Sequence, residues 1–168
     1  MRQSVVLEAP ELVGGQPLIA GARFRRLMVI ADERGRLMEM LRRDDDLFRG
    51  FGQSYLTTAY PGVVKGWHYH RVQWDHFVVV KGMAKIVLYD PRDDSSTRGV
   101  VNEFFMGEHN PLLLQIPPLV YHGFKCISET EALIINHPTE PYRHADPDEF
   151  RVAAHDRSIR YDWNRKDG

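Results

Sequence analysis

GVVKGWHYHRVQWDHFVVVKG, residues 62–82, sets His68, His70 and Asp75 between two glycines in the order G-x5-H-x-H-x4-D-x6-G. Side chains alternate across an extended strand, so His68 and His70 point the same way, and a turn or a neighbouring strand can bring Asp75 beside them. Farther along, IPPLVYHGF at residues 116–124 supplies His122. Three imidazoles and one carboxylate suit a borderline divalent ion such as iron, zinc, manganese, nickel or cobalt, with positions left for water or substrate. An H-x-H pair alone says little in a chain with eight histidines. Here the flanking glycines fit tight turns, the spacing fits strand, loop and strand, and Pro117-Pro118 fits the entry to another strand. His76 adjoins Asp75 but falls on the opposite strand face, which makes it a bystander.

Outward from this stretch, short strand-like runs recur with turns between them, and helical periodicity is scarce. Strands are expected near Phe24–Ile30, Arg36–Leu41, Gln53–Tyr60, Val64–His70, Phe77–Val80, Ala84–Tyr89, Val101–Met106, Leu112–Ile116, His122–Ile127 and Ala132–Asn136. DERG, YPG, KG, DPRDDSS, GEHNP and PP mark the turns. The pattern describes an all-β, double-sheet jelly roll or barrel whose concave interior can hold a small ligand. One domain over residues 1–168 is expected, with a core from about 22 to 137. The N-terminal arm and a C-terminal tail of short helical or irregular segments would pack on it. The run from Arg42 to Asp46 reads as a solvated loop.

The 168 residues are 43% hydrophobic and 27% charged, the balance of a globular chain with a sizeable core. A formal net charge of −1 gives no sign of a nucleic-acid or anionic-membrane partner. No apolar run approaches the roughly 20 residues of a membrane span, and no apolar leader is evident, so a cytoplasmic location is the expectation. The lone Cys126 excludes an internal disulfide. It shares strand parity with His122 and Phe124 and is expected to be a small buried core residue.

The two histidine motifs resemble those of the cupin superfamily, which implies a double-stranded β-helix. Asp75 stands where the first motif usually has glutamate, Leu119 where the second usually has glycine, and Cys126 where it often closes on asparagine. A longer resemblance, from about Asp32 to Trp163, is to the dTDP-4-dehydrorhamnose 3,5-epimerase family. DERGRLME, GVVKGWHYH, IPPLVYHGF, YDPRDDSSTRG and SIRYDW carry it. The resemblance implies that His68 is the catalytic base and His122 a second active-site histidine. It also implies that Arg34, Glu39 and Gln53 contact the nucleotide, the first two often across a homodimer, and that Lys65 replaces a phosphate-binding arginine. Ile135 falls at the place of the family's proton-donating tyrosine, and Asp75 at that of a lysine.

What is lost is a proton donor and a cation, and what is gained, in His70 and Asp75, are metal-ligand types. The implied activity is epimerisation or isomerisation of a nucleotide-linked 4-keto sugar, such as a dTDP-sugar, with a divalent ion in place of the usual acid/base set. If His68 ligates that ion it is not the free base, and proton movement falls to Tyr55, Tyr60, Tyr121 or a hydroxide on the ion. The alternatives are a metal-dependent oxygenase or lyase on a small organic substrate, or a non-catalytic sugar-binding module.

Overall fold

The computed structural model describes residues 12–166, and fourteen strands with no helix occur among them. Ten strands form two five-stranded antiparallel sheets. One runs, in spatial order, β10 (Val101–Gly107), β9 (Met83–Tyr89), β12 (Tyr121–Cys126), β7 (Val64–Tyr69) and β14 (Phe150–Arg151). The other runs β3 (Arg23–Arg26), β11 (Leu112–Ile116), β8 (Asp75–Lys81), β13 (Ala132–Asn136) and β6 (Tyr55–Ala59). Two hairpins remain, β1 (Leu12–Val13) with β2 (Gln16–Pro17) and β4 (Val29–Asp32) with β5 (Gly35–Met38).

Strand alternation builds the interior. From β8 come Phe77 and Val79, from β9 Ala84, Ile86 and Leu88, from β12 Phe124 and Cys126, and from β13 Ala132 and Ile134, all in one buried cluster between the sheets. Cys126 is thus a core residue, as its parity requires. The central strands are apolar on both faces because their outer faces are covered too. Val78 and Leu113 pack outward against Leu27 and Leu47, with Met38, Met40 and Leu41 around them. On the other sheet Trp67 and Val87 are covered by Ile159 and Trp163 of the tail. Among the described residues no helix is long and apolar enough to cross a membrane.

Three features differ from expectation. Among the described residues the tail forms no helix: Pro138, Pro141 and Pro147 interrupt its first part, and burying Ile159 and Trp163 on the flat outer face of a sheet draws the rest into turns. The strand expected over Phe24–Ile30 breaks between β3 and β4, where Leu27 turns into the outer cluster and its N–H bonds Pro111 O at 3.0 Å. The Arg42–Asp46 run is not wholly solvated, since Asp45 forms a bidentate pair with Arg25 at 2.6 and 2.7 Å on the outer face.

Two backbone details align the strands that carry the histidines. A Cβ on Gly123 would lie 2.8 Å from both Gly66 Cα and Lys65 O, so only glycine allows β7 and β12 to approach this closely. Leu119 has φ of 64°, in the left-handed region that favours glycine, and its N–H bonds His70 O at 2.7 Å. The cupin-type turn is therefore kept without its usual glycine, at a local cost of about 1–2 kcal/mol.

A candidate metal centre and active site

His68 and His70 lie on the inner face at the end of β7, and His122 pairs with His68 in register on β12. Asp75 opens β8 from the opposite sheet, and the His70–Asp75 turn joins the two. One ligand-type atom from each of the four residues lies within 4.8 Å of those of the others. The His68 and His122 rings are 4.0 Å apart, and His70 is 5.8 and 5.7 Å from them. Asp75 and His122 are each 1% exposed and His70 6%, whereas His68 is only partly buried.

The hydrogen bonds fix which atoms face inward. A carbonyl only accepts, so His122 Nδ1 carries the proton it donates to Val120 O at 3.0 Å, and His70 Nδ1 likewise donates to Asp148 O. Both Nε2 atoms, bare in the neutral ring and protonated in the imidazolium, face one oxygen, Asp75 Oδ2, at 3.1 Å from His122 and 3.2 Å from His70. The other oxygen, Oδ1, accepts from Gln73 Nε2 at 2.8 Å and Asn136 Nδ2 at 2.7 Å. Gln73 Nε2 also lies 3.2 Å from His70 Nε2. Asp75 Oδ2 and His122 Nε2 are left buried and without a hydrogen-bond partner.

Burial alone would raise the Asp75 pKa, but the contacts with His122 and His70 outweigh it and hold the carboxyl well below the usual range. Burial, reinforced by the neighbouring His122, holds His68 well below the ordinary histidine value. For His70, burial is outweighed by the Asp75 contacts and the pKa rises. Burial and the Asp75 charge push the Tyr55 phenol up to about 12.

The four residues border or lie beneath a cavity of about 1130 Å³ that Gln53, Tyr55 and Lys65 also line. Tyr55 Oη accepts from Asn136 Nδ2 at 3.0 Å, and Lys65 Nζ donates to Thr57 Oγ1 at 3.2 Å. A strap over residues 140–153 forms one side of the mouth.

Other expected residues fall elsewhere. Tyr121 faces outward, 4.6 Å from the Tyr69 ring, because it precedes the inward His122, and Tyr60 is exposed at a turn. Arg34 and Glu39 lie on or beside the exposed β4–β5 hairpin, paired with Asp32 and Arg42, and do not reach the histidines within this chain. Ile135 pairs with Val78, whose side chain belongs to the outer cluster, so the inward position at this end of β13 is Asn136. His76 is the expected bystander, buried on the outer face against Leu47 O and His137 O.

The sequence did not single out Gln73, Asn136 or Asp148. Gln73 had a local signal, since it lies two residues before Asp75. Asp148 had none, since only the folded tail brings it to His70.

Similarity to known proteins follows the same architecture. The polysaccharide biosynthesis C-terminal domain family model matches residues 30–150. The spore coat polysaccharide biosynthesis protein SpsL of Bacillus subtilis is 42% identical over 147 residues, which span 88% of this chain and 97% of that protein. The probable low-salt glycan biosynthesis epimerase Agl13 of Haloferax volcanii is 45% identical over 150 residues, 88% of this chain and 96% of that one. A solved dTDP sugar isomerase from Desulfovibrio desulfuricans superposes with a TM-score of 0.83 at 33% identity, covering 89% of this chain and 94% of its own. Solved dTDP-4-dehydrorhamnose 3,5-epimerases share the fold as well. With its jelly roll, its inward histidines and these matches, the chain belongs to the polysaccharide biosynthesis C-terminal domain family, an epimerase-like branch of the cupins.

Proposed function

We propose that this chain is an epimerase or isomerase of carbohydrate biosynthesis acting on a nucleotide-linked 4-keto sugar, with a divalent cation held by His70, Asp75 and His122. The observation that carries the cation is the contact between Asp75 Oδ2 and His122 Nε2. With the His122 Nδ1 proton committed to Val120 O, Nε2 faces a buried carboxylate oxygen, a contact resolved by a second ring proton or by a cation, and the convergence of four ligand-type atoms within 4.8 Å favours the cation. Ligands bound at about 2.0–2.2 Å around one ion lie roughly 3.0–3.5 Å from one another, which matches the contacts of Asp75 Oδ2 with both histidines. Histidine ligands characteristically donate their second ring nitrogen to a carbonyl or carboxylate, as His70 and His122 do.

When bound, such a cation supplies Lewis-acid polarisation of a substrate carbonyl oxygen. Epimerisation beside that carbonyl needs one group to take a proton from carbon and another to return it. His68, partly exposed to the cavity, is the group we assign to proton removal. Tyr55 Oη is the donor: Asn136 Nδ2 fills one of its lone-pair directions, which leaves the phenol O–H to the cavity, and its raised pKa keeps the proton in place near neutrality. Lys65 offers a charge to a phosphate on the cavity wall, and Gln53 a polar group beside it. The exposed Met28, Ile30 and Leu37 of the hairpin region suit a homodimer, in which Arg34 and Glu39 would reach the partner's nucleotide.

Two substitutions assign the roles. Tyr55→Phe is expected to lower kcat about 10²-fold with little change in KM, as befits loss of a proton donor. His68→Asn is expected to lower turnover about 10²- to 10⁴-fold while the protein keeps its cation. Loss of the cation together with turnover would make His68 a fourth ligand, a role its closeness to the other donors also favours. Unchanged turnover in both variants removes the assignment. Oxygen uptake without exchange of substrate hydrogen with solvent would replace the isomerase by an oxygenase.

A further inference from the structure

The turn from His70 to Asp75 carries two of the four convergent residues, yet Arg71 and Val72 at its tip are exposed and none of residues 71–74 belongs to an apolar cluster. It is held from the tail. The Asp148 carboxylate accepts three successive backbone N–H groups, Arg71 at 2.7 Å, Val72 at 2.9 Å and Gln73 at 3.0 Å. The carbonyl of the same residue accepts the His70 Nδ1 proton. At the far end of the turn Trp74 N donates to Thr139 Oγ1, and Thr139 N returns a bond to Trp74 O, both at 3.0 Å. One side of the cavity mouth thus grips the turn at both ends.

We propose that Asp148 is a positioning residue for this site: it fixes the His70–Asp75 turn with its carboxylate and the ring orientation and tautomer of His70 with its carbonyl. The geometry makes the dependence specific. His70 can present Nε2 to Asp75 only while Nδ1 has an acceptor, and that acceptor stays in place only while the carboxylate holds the strap to the turn. Gln73, whose amide supports Asp75 Oδ1, hangs from the same carboxylate. Asp148 belongs to none of the apolar clusters that hold the two sheets together, so its loss acts on the site before it acts on the fold.

The inference rests on His70 being part of the active site, but it can be read without any reaction. Long-range proton–nitrogen spectra of the metal-free protein report the tautomer of each histidine ring. At alkaline pH, where the ring is neutral, wild-type His70 is expected as a single form protonated at Nδ1. In Asp148→Ala the ring should become a mixture of tautomers, and turnover or cation affinity should fall 10- to 100-fold, the usual effect of removing a residue that orients a ligand. Asp148→Asn keeps the size and one acceptor oxygen and is expected to fall between the two, which guards against a variant that merely fails to fold. A His70 ring that stays in one unchanged tautomer in both folded variants overturns the proposal, whatever happens to activity. A shifted tautomer with undiminished turnover upholds the positioning but removes His70 from the chemistry.

Discussion

Asp75→Asn is expected to lower turnover about 10³-fold and to abolish stoichiometric cation binding, while the protein remains folded. The substitution keeps the shape and leaves one oxygen to accept from Gln73 and Asn136, so the buried amides on that side keep a partner. What it removes is the charge at Oδ2, the one atom that both His70 and His122 face. The contacts that hold this buried carboxyl ionised outweigh its desolvation cost, so neutralising it also lowers the Tm, although the fold is kept by the apolar clusters. Steady-state kinetics, metal content and a melting curve on one preparation check the three parts. Full activity with a full complement of metal would remove Asp75 from the site.

Trp163→Ala is expected to destabilise the fold by about 3–5 kcal/mol, the range for truncating a fully buried tryptophan. Trp163 is 1% exposed, packs 4.9 Å from a tilted Trp67 ring and 4.9 Å edge-to-face from Tyr161, and donates from Nε1 to Ala154 O at 3.0 Å. Its ring also lies over the two glycines where β7 and β12 meet, 3.1 Å from the site of a Gly66 Cβ and 3.2 Å from that of a Gly123 Cβ. The residue therefore seals the back of the strands whose front faces carry His68 and His122. For a chain of this length the loss corresponds to a fall of roughly 10 °C in Tm. A shift of only a degree or two would show that the tail adds little to the core.

Much of this architecture was legible because period-two alternation and turn residues report directly on strands. β11 and β13 fall on their expected bounds, and the parity of His68, His70, His122 and Cys126 gave their common inward face. The same rule explains why Tyr121 misses the site: it is one position out of phase with the inward His122. The tail was not legible, because its conformation follows from what Trp163 and Ile159 cover rather than from a local period. For the same reason Asp148 was invisible, since its partners lie 75 to 78 residues away in sequence. Arg34 and Glu39 show the limit of resemblance: the DERG turn is present, but within one chain it points away from the cavity.

The fold places a base-like His68 beside Asp75 and beside two buried histidines, His70 and His122, whose Nδ1 protons point outward to backbone carbonyls. A cation held among these side chains would support isomerisation of a keto sugar. This role is tested most directly by measuring deuterium incorporated from heavy water into a nucleotide-linked 4-keto sugar, with protein stripped by a chelator and with the same protein reloaded with one equivalent of a first-row divalent cation. Stripping is expected to lower the exchange rate by at least about 10²-fold, and reloading to restore it. Stripped protein, verified free of metal, that exchanges at the full rate would contradict it.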